Sequence, residues 1–156
     1  MSSFISKTDY KYQIRTYRLD QILESSDEDE DSILNAAEEE ALGMIEKHLA
    51  DKYDMVAVFA QSGSARNKVI LRWAKVLVMY YIYERIPDEM VPERIVANYK
   101  EAMAMLKRVE DGDSGIPGLP PKTITDANGD SANYTKRRFG SNLSRTHDGL
   151  SQRDKS

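Results

Sequence analysis

Two histidines, no cysteine and a scatter of hydroxyls and carboxylates are all that this chain offers for chemistry. His48 lies beside Asp51 in an acidic stretch with no second histidine at ligand spacing, and His147 sits in a polar run near the C-terminus. A zinc site draws on several such nitrogen or sulfur ligands, so no metal centre is expected. Gln61-Ser-Gly-Ser-Ala65 precedes a helical pattern, where backbone N–H groups can meet an anion. The Gly-Lys-Ser/Thr ending of a phosphate loop is missing, however, and neither Ser62 nor Ser64 has a histidine or lysine base to activate it. Helix capping is the better account of those hydroxyls. Asp126-Ala-Asn-Gly-Asp130 spaces its acids like a calcium loop but lacks the flanking helices and the late bidentate glutamate, which leaves a turn. No catalytic, cofactor or metal site is expected, and the chain reads as a protein that works by contact.

Charge distribution supports that reading. The net charge of −4 conceals twelve acids against Lys47 and Lys52 between Glu24 and Asp54, and six basic residues against two acids from Ser131 onward. Opposite charge at two ends favours head-to-tail association of copies, or docking on partners of unlike sign. Lys68, Arg72 and Lys75 form a basic stripe, and Lys136, Arg137 and Arg138 lie between Tyr134 and Phe139. Such cations can hold phosphates and such rings can stack on bases, but the acidic balance and the lack of a base-reading module count against a nucleic-acid reader.

Periodicity places these residues on an all-α scaffold. The expected fold is a small antiparallel helical bundle, two short N-terminal helices or turns plus three longer helices, with an extended C-terminal arm carrying a β-hairpin signal. Ser6 and Thr8 are candidate caps for a turn over Asp9 to Ile14, and Arg18 to Leu23 forms a second; their Tyr, Ile and Leu residues suit a leader lying across a larger helix. Ile33, Leu34, Ala37, Ala41, Ile45 and Leu49 recur every three or four residues, predicting an amphipathic helix that ends near Tyr53. The acids Asp27 to Asp31 at its start complement the helix dipole. Asp54 to Ala65 reads as a connection, with Val56 to Phe59 an extended strap. A helix from Ala65 to about Arg85 is apolar round most of its circumference and should be central; Ile86-Pro87 ends it. The last helix opens near Pro92 and runs to about Val109.

Residues 1–109 therefore form a helical domain and 110–156 an arm. Gly112 to Pro121 supports neither helix nor strand, and the Asn-Gly of Asp126 to Asp130 between Lys122-Thr-Ile-Thr125 and Ser131 to Thr135 signals a hairpin. The uninterrupted apolar run, Val76 to Tyr83, is too short to span a membrane. An N-terminus without an apolar signal segment suggests a cytoplasmic protein.

The order of these elements carries a resemblance. A leader of the form Phe-Ile-Ser-x-x-Asp-Tyr precedes a helix ending His-Leu-Ala-Asp-Lys-Tyr-Asp, then Trp-Ala-x-x-Leu-x-x-Tyr-x-x-Tyr-Glu-Arg-Ile-Pro, then a helix with Tyr99, Ala102 and Leu106. From Met1 to about Glu110 this resembles the Mu-type phage head-tail connector, or head-completion, proteins. The likeness implies a non-enzymatic subunit of a ring of about twelve copies, clamped on the portal protein and presenting a surface to a tail-side connector or terminator. It would sit in the virion neck after assembly in the host bacterial cytoplasm, with DNA passing through its channel without sequence-specific contact, and would need neither cofactor nor membrane. An acidic channel face would come from Asp27, Glu28, Asp29, Glu30 and Asp31, or from Glu38, Glu39 and Glu40, and the docking arm would use Ile124, Tyr134, Lys136, Arg137, Arg138 and Phe139. The alternative is a small helical DNA-binding or DNA-packaging accessory protein.

Overall fold

The computed structural model describes residues 4–12, 30–85, 91–125 and 131–133. Four helices dominate them: α1 (Glu30–Leu49), α2 (Met55–Phe59), α3 (Lys68–Glu84) and α4 (Glu93–Asp111), followed by the strands β1 (Thr123–Thr125) and β2 (Ser131–Asn133). The long helices α1, α3 and α4 pack pairwise on one another. Their core is made of the residues whose spacing predicted it. Ile33, Leu34, Ala37, Ala41, Ile45 and Leu49 form the buried stripe of α1, and α3 buries ten residues, including Ile70, Trp73, Leu77 and Ile82. Each large aliphatic side chain so buried contributes about 1.5–3 kcal/mol. Tyr99 of α4 stacks on Tyr80 of α3 at 3.9 Å between ring centroids, which fixes the register of that helix pair.

Helix ends follow local chemistry. Asn67, not Ser62 or Ser64, caps α3: its Oδ1 accepts the backbone N–H groups of Val69 and Ile70. The expected strap at Val56 to Phe59 is instead the helical turn α2, because Asp54 Oδ1 accepts the N–H of Ala57 and the one-turn spacing of Met55 and Val58 buries both. At the end of α4, Gly112 adopts φ +85°, donating to Val109 O while Asp113 donates to Arg108 O. This paired closure needs a left-handed residue, which glycine supplies without a Cβ clash. Lys52 Nζ reaches across from the end of α1 to the carbonyls of Val109 and Glu110, and His48 Nδ1 lies 2.9 Å from Glu110 Oε2. The Lys52 ammonium thus meets the negative end of α4.

The folded unit does not stop at Val109. Residues 113–122 return along the bundle, burying Ile116 and Leu119. Asp54 N donates to Pro120 O, Lys122 N to Lys52 O, Asn67 Nδ2 to Pro117 O and Ile116 N to the Tyr53 hydroxyl. Residues 113–122, which composition reads as the start of an arm, thus pack on the helical domain, because an irregular segment with two well-placed apolar residues can cover a core as well as a helix can. Beyond it the hairpin forms as expected, antiparallel, with Ile124 opposite Ala132.

The described part of the leader, residues 4–12, is docked too, while the expected second turn at Arg18 to Leu23 lies outside the described residues. A 3₁₀ turn over Lys7–Tyr12 buries Phe4, Ile5 and Tyr10, with Phe4 edge-on to Phe59. Ser6 bonds to Asp9 through both its N–H and its hydroxyl, so the turn is closed by an aspartate answering a serine, and Thr8 serves only as a hydroxyl neighbour of Ser6. Arg66 grips Asp9 with two nitrogens, at 2.6 and 3.2 Å, and also donates to Phe4 O. Burial opposes the charge on Asp9, but Arg66 and Ser6 outweigh it and hold the carboxyl at about 2, below its ordinary 3.8. A carboxylate held below its unfolded value adds stability that is complete above its ordinary value and is lost as pH falls towards the folded one. Between pH 4 and 2 the wild-type chain should therefore lose about 1–2 kcal/mol through this pair, allowing for screening by solvent. Chemical denaturation across that window should show a shallower acid slope for Asp9→Asn.

Candidate functional site

Among the described residues there is no group of three or more His, Asp or Glu side chains able to hold a metal ion. His48 is occupied with Glu110, and the N-terminus of α3 is already satisfied by Asn67, which removes the anion-binding reading of Gln61 to Ala65. Ser62 makes no side-chain cap bond. The Asp126 to Asp130 turn and His147 lie outside the described residues.

What the bundle does build is a groove of about 460 Å³ between α3 and α4. Its apolar surface comes from Val69, Trp73, Val76, Met79 and Tyr83 of α3 and from Ile95, Ala102 and Met105 of α4. Lys68 and Arg72 stand towards the start of α3, and Arg94 stands in the first turn of α4. Since α3 and α4 are antiparallel, the cations border the groove near both ends. Glu101 is the single carboxylate in its wall. Val69 and Met105, 39% and 38% exposed, are apolar side chains that the helices leave in contact with water. No described carboxylate forms an ion pair with Lys68, Arg72 or Arg94. Sequence periodicity identified the Lys68–Arg72 stripe but did not bring Arg94 to the same surface. Only the crossing of two helices does that. Lys75, the third member of the stripe, is half-buried and does not line the groove.

The acidic surface is narrower than the sequence suggested. Glu39 and Glu40 of α1 are exposed, but Glu38 points inward, 6% exposed, and accepts a 2.8 Å hydrogen bond from the buried Tyr10 hydroxyl. Three consecutive helical residues cannot all share one face, and position 38 follows Leu34 and Ala37 onto the core stripe. Asp31 is exposed and pairs with Lys7, and Glu30 opens α1. Asp27, Glu28 and Asp29 lie outside the described residues, as do Tyr134, Lys136, Arg137, Arg138 and Phe139. Of the proposed arm contacts only Ile124 is described, and it is 48% exposed on β1.

Among the described residues no helix is long and apolar enough to cross a membrane. Neither the curated proteins nor the solved structures contain a significant match to this chain. The family model for bacteriophage Mu Gp36 matches residues 4–133, from the docked leader through the return strand to the end of the hairpin. The likeness thus extends past Glu110 into the segment that seals the core, and this chain belongs to the bacteriophage Mu Gp36 family.

Proposed function

We propose that this bacteriophage protein is a structural subunit of a head-tail connector ring at the virion neck, bridging the portal protein to tail-side proteins and working by contact rather than catalysis. The observation that carries the reading is the family match over residues 4–133, which takes in every described element from leader to hairpin. The physical features agree with it. Opposed charges on one chain suit a heterologous interface, which closes into a ring when the rotation permits. The exposed carboxylates Glu39 and Glu40, joined by Glu46 on α1, supply a negative face that would keep passing DNA from adhering to a channel wall. Beyond the hairpin, the basic residues Lys136 to Arg138 with Tyr134 and Phe139 suit an acidic cleft on a partner.

One observation favours the second reading, a DNA-binding accessory protein: the cations of the α3–α4 groove. The two are separated by incubating the purified chain with the portal protein of the same phage and, in parallel, with duplex DNA. The connector reading expects co-purification with portal and only weak duplex binding. Tight duplex binding that falls steeply with salt, without portal binding, would replace it.

A further inference from the structure

The α3–α4 groove has an apolar floor and cationic ends, and none of its lining comes from α1. The sequence contains one stretch of matching chemistry. Residues 19–29, Leu-Asp-Gln-Ile-Leu-Glu-Ser-Ser-Asp-Glu-Asp, hold three aliphatic side chains and five carboxylates with no basic residue. Its flanks are fixed close together, because the leader is tied to α1 through Lys7–Asp31 and Tyr10–Glu38. Residues 13–29 are thereby tethered at both ends, and half of that length spans at most about 25–30 Å. The groove is lined by neither α1 nor the leader, the two elements that hold the ends of this stretch, which favours the groove of an adjacent copy over its own.

We propose that the groove receives residues 19–29 of a neighbouring copy, with Ile22 and Leu23 on the surface around Trp73 and Val76 and the Asp27-Glu-Asp29 carboxylates on Lys68 and Arg72. Charge complementarity selects this occupant: three cations and one carboxylate, Glu101, face a stretch whose charged side chains are all acidic. The apolar area supplies affinity and the charges fix direction, so that each copy offers its acidic stretch to the next and its own groove to the one before. This deepens the ring reading and rests on it, and it assigns the Asp27 to Asp29 run to the contact between copies, leaving Glu39 and Glu40 to the channel.

Trp73 is the only tryptophan and lines the groove, so its fluorescence reports occupancy. A synthetic peptide of residues 17–31 is titrated into the full-length chain held dilute enough to be monomeric. The expected result is a saturable change in Trp73 emission, with affinity at least about tenfold weaker for Lys68→Glu/Arg72→Glu and for a peptide whose acids are amidated to Asn and Gln. Both cations are exposed, so the double variant keeps its core. Absence of a response, or equal binding by the charge-reversed variant, overturns the inference. So does a shift in Trp73 emission, independent of protein concentration, when Asp27, Glu28 and Asp29 are replaced by amides in the dilute full-length chain, because the groove would then hold the chain's own stretch. Full-size rings formed on portal by Lys68→Glu/Arg72→Glu would also discard this contact while leaving the neck role intact. Failure of the wild-type chain to bind portal would discard the neck role, and peptide binding would then stand apart from it.

Discussion

A chain ending after Glu110 should be less stable than one ending after Asn133 by about 3–6 kcal/mol, although it keeps α1 to α3 and all but the last residue of α4. The shorter chain loses Ile116 and Leu119, whose burial contributes about 1.5–3 kcal/mol each, and exposes the core surface they cover. It also strips Asp54 N, Lys52 O and the Tyr53 hydroxyl of their partners from the return strand. Most small domains are stable by only about 5–15 kcal/mol, so the loss would remove a large share of the total. Urea denaturation of the two chains decides the point, and equal midpoints would mean that the return strand contributes nothing. The consequence for function is practical: a docking arm must be tested by cutting beyond Asn133, because a cut at 110 would also destabilise the body and so confound a loss of portal binding.

Replacing Tyr10 should have the second large effect. The ring is fully buried, so Tyr10→Ala should cost about 3–5 kcal/mol and undock the leader. Tyr10→Phe keeps the packing but withdraws a donor from the buried Glu38 carboxylate, for about 1–3 kcal/mol. Burial first, and then the neighbouring Glu38 charge, push the Tyr10 hydroxyl well above its ordinary range, so it remains a donor at any pH the protein meets. Glu38→Gln keeps an acceptor while removing the charge and should cost less than Tyr10→Phe. Thermal unfolding of the three variants checks that order, and a Tyr10→Phe chain as stable as wild type would show the hydrogen bond to be dispensable.

The long helices were legible because one face of each is apolar at helical spacing, and the hairpin because Asn-Gly sits between two short strand-like segments. The return strand was not, since Gly112 to Pro121 has the composition of a free linker, and only the placement of Ile116 and Leu119 over the core reveals otherwise. Glu38 was misassigned for a related reason. Its neighbours Glu39 and Glu40 share its chemistry, but the hydroxyl that makes its burial tolerable comes from Tyr10, twenty-eight positions earlier. The groove depended on tertiary contact in the same way: Arg94 lies far along the chain from Lys68 and Arg72, and only the crossing of α3 and α4 unites them.

The claim that the chain is a ring subunit on the portal is tested most directly by the mass of the complex it forms there. Native mass measurement of portal protein saturated with the full-length chain should give a single species with a fixed, ring-sized number of copies, about twelve on a closed cyclic interface. A portal that remains bare, or one that binds a variable number of isolated copies with no closed ring, would contradict the account.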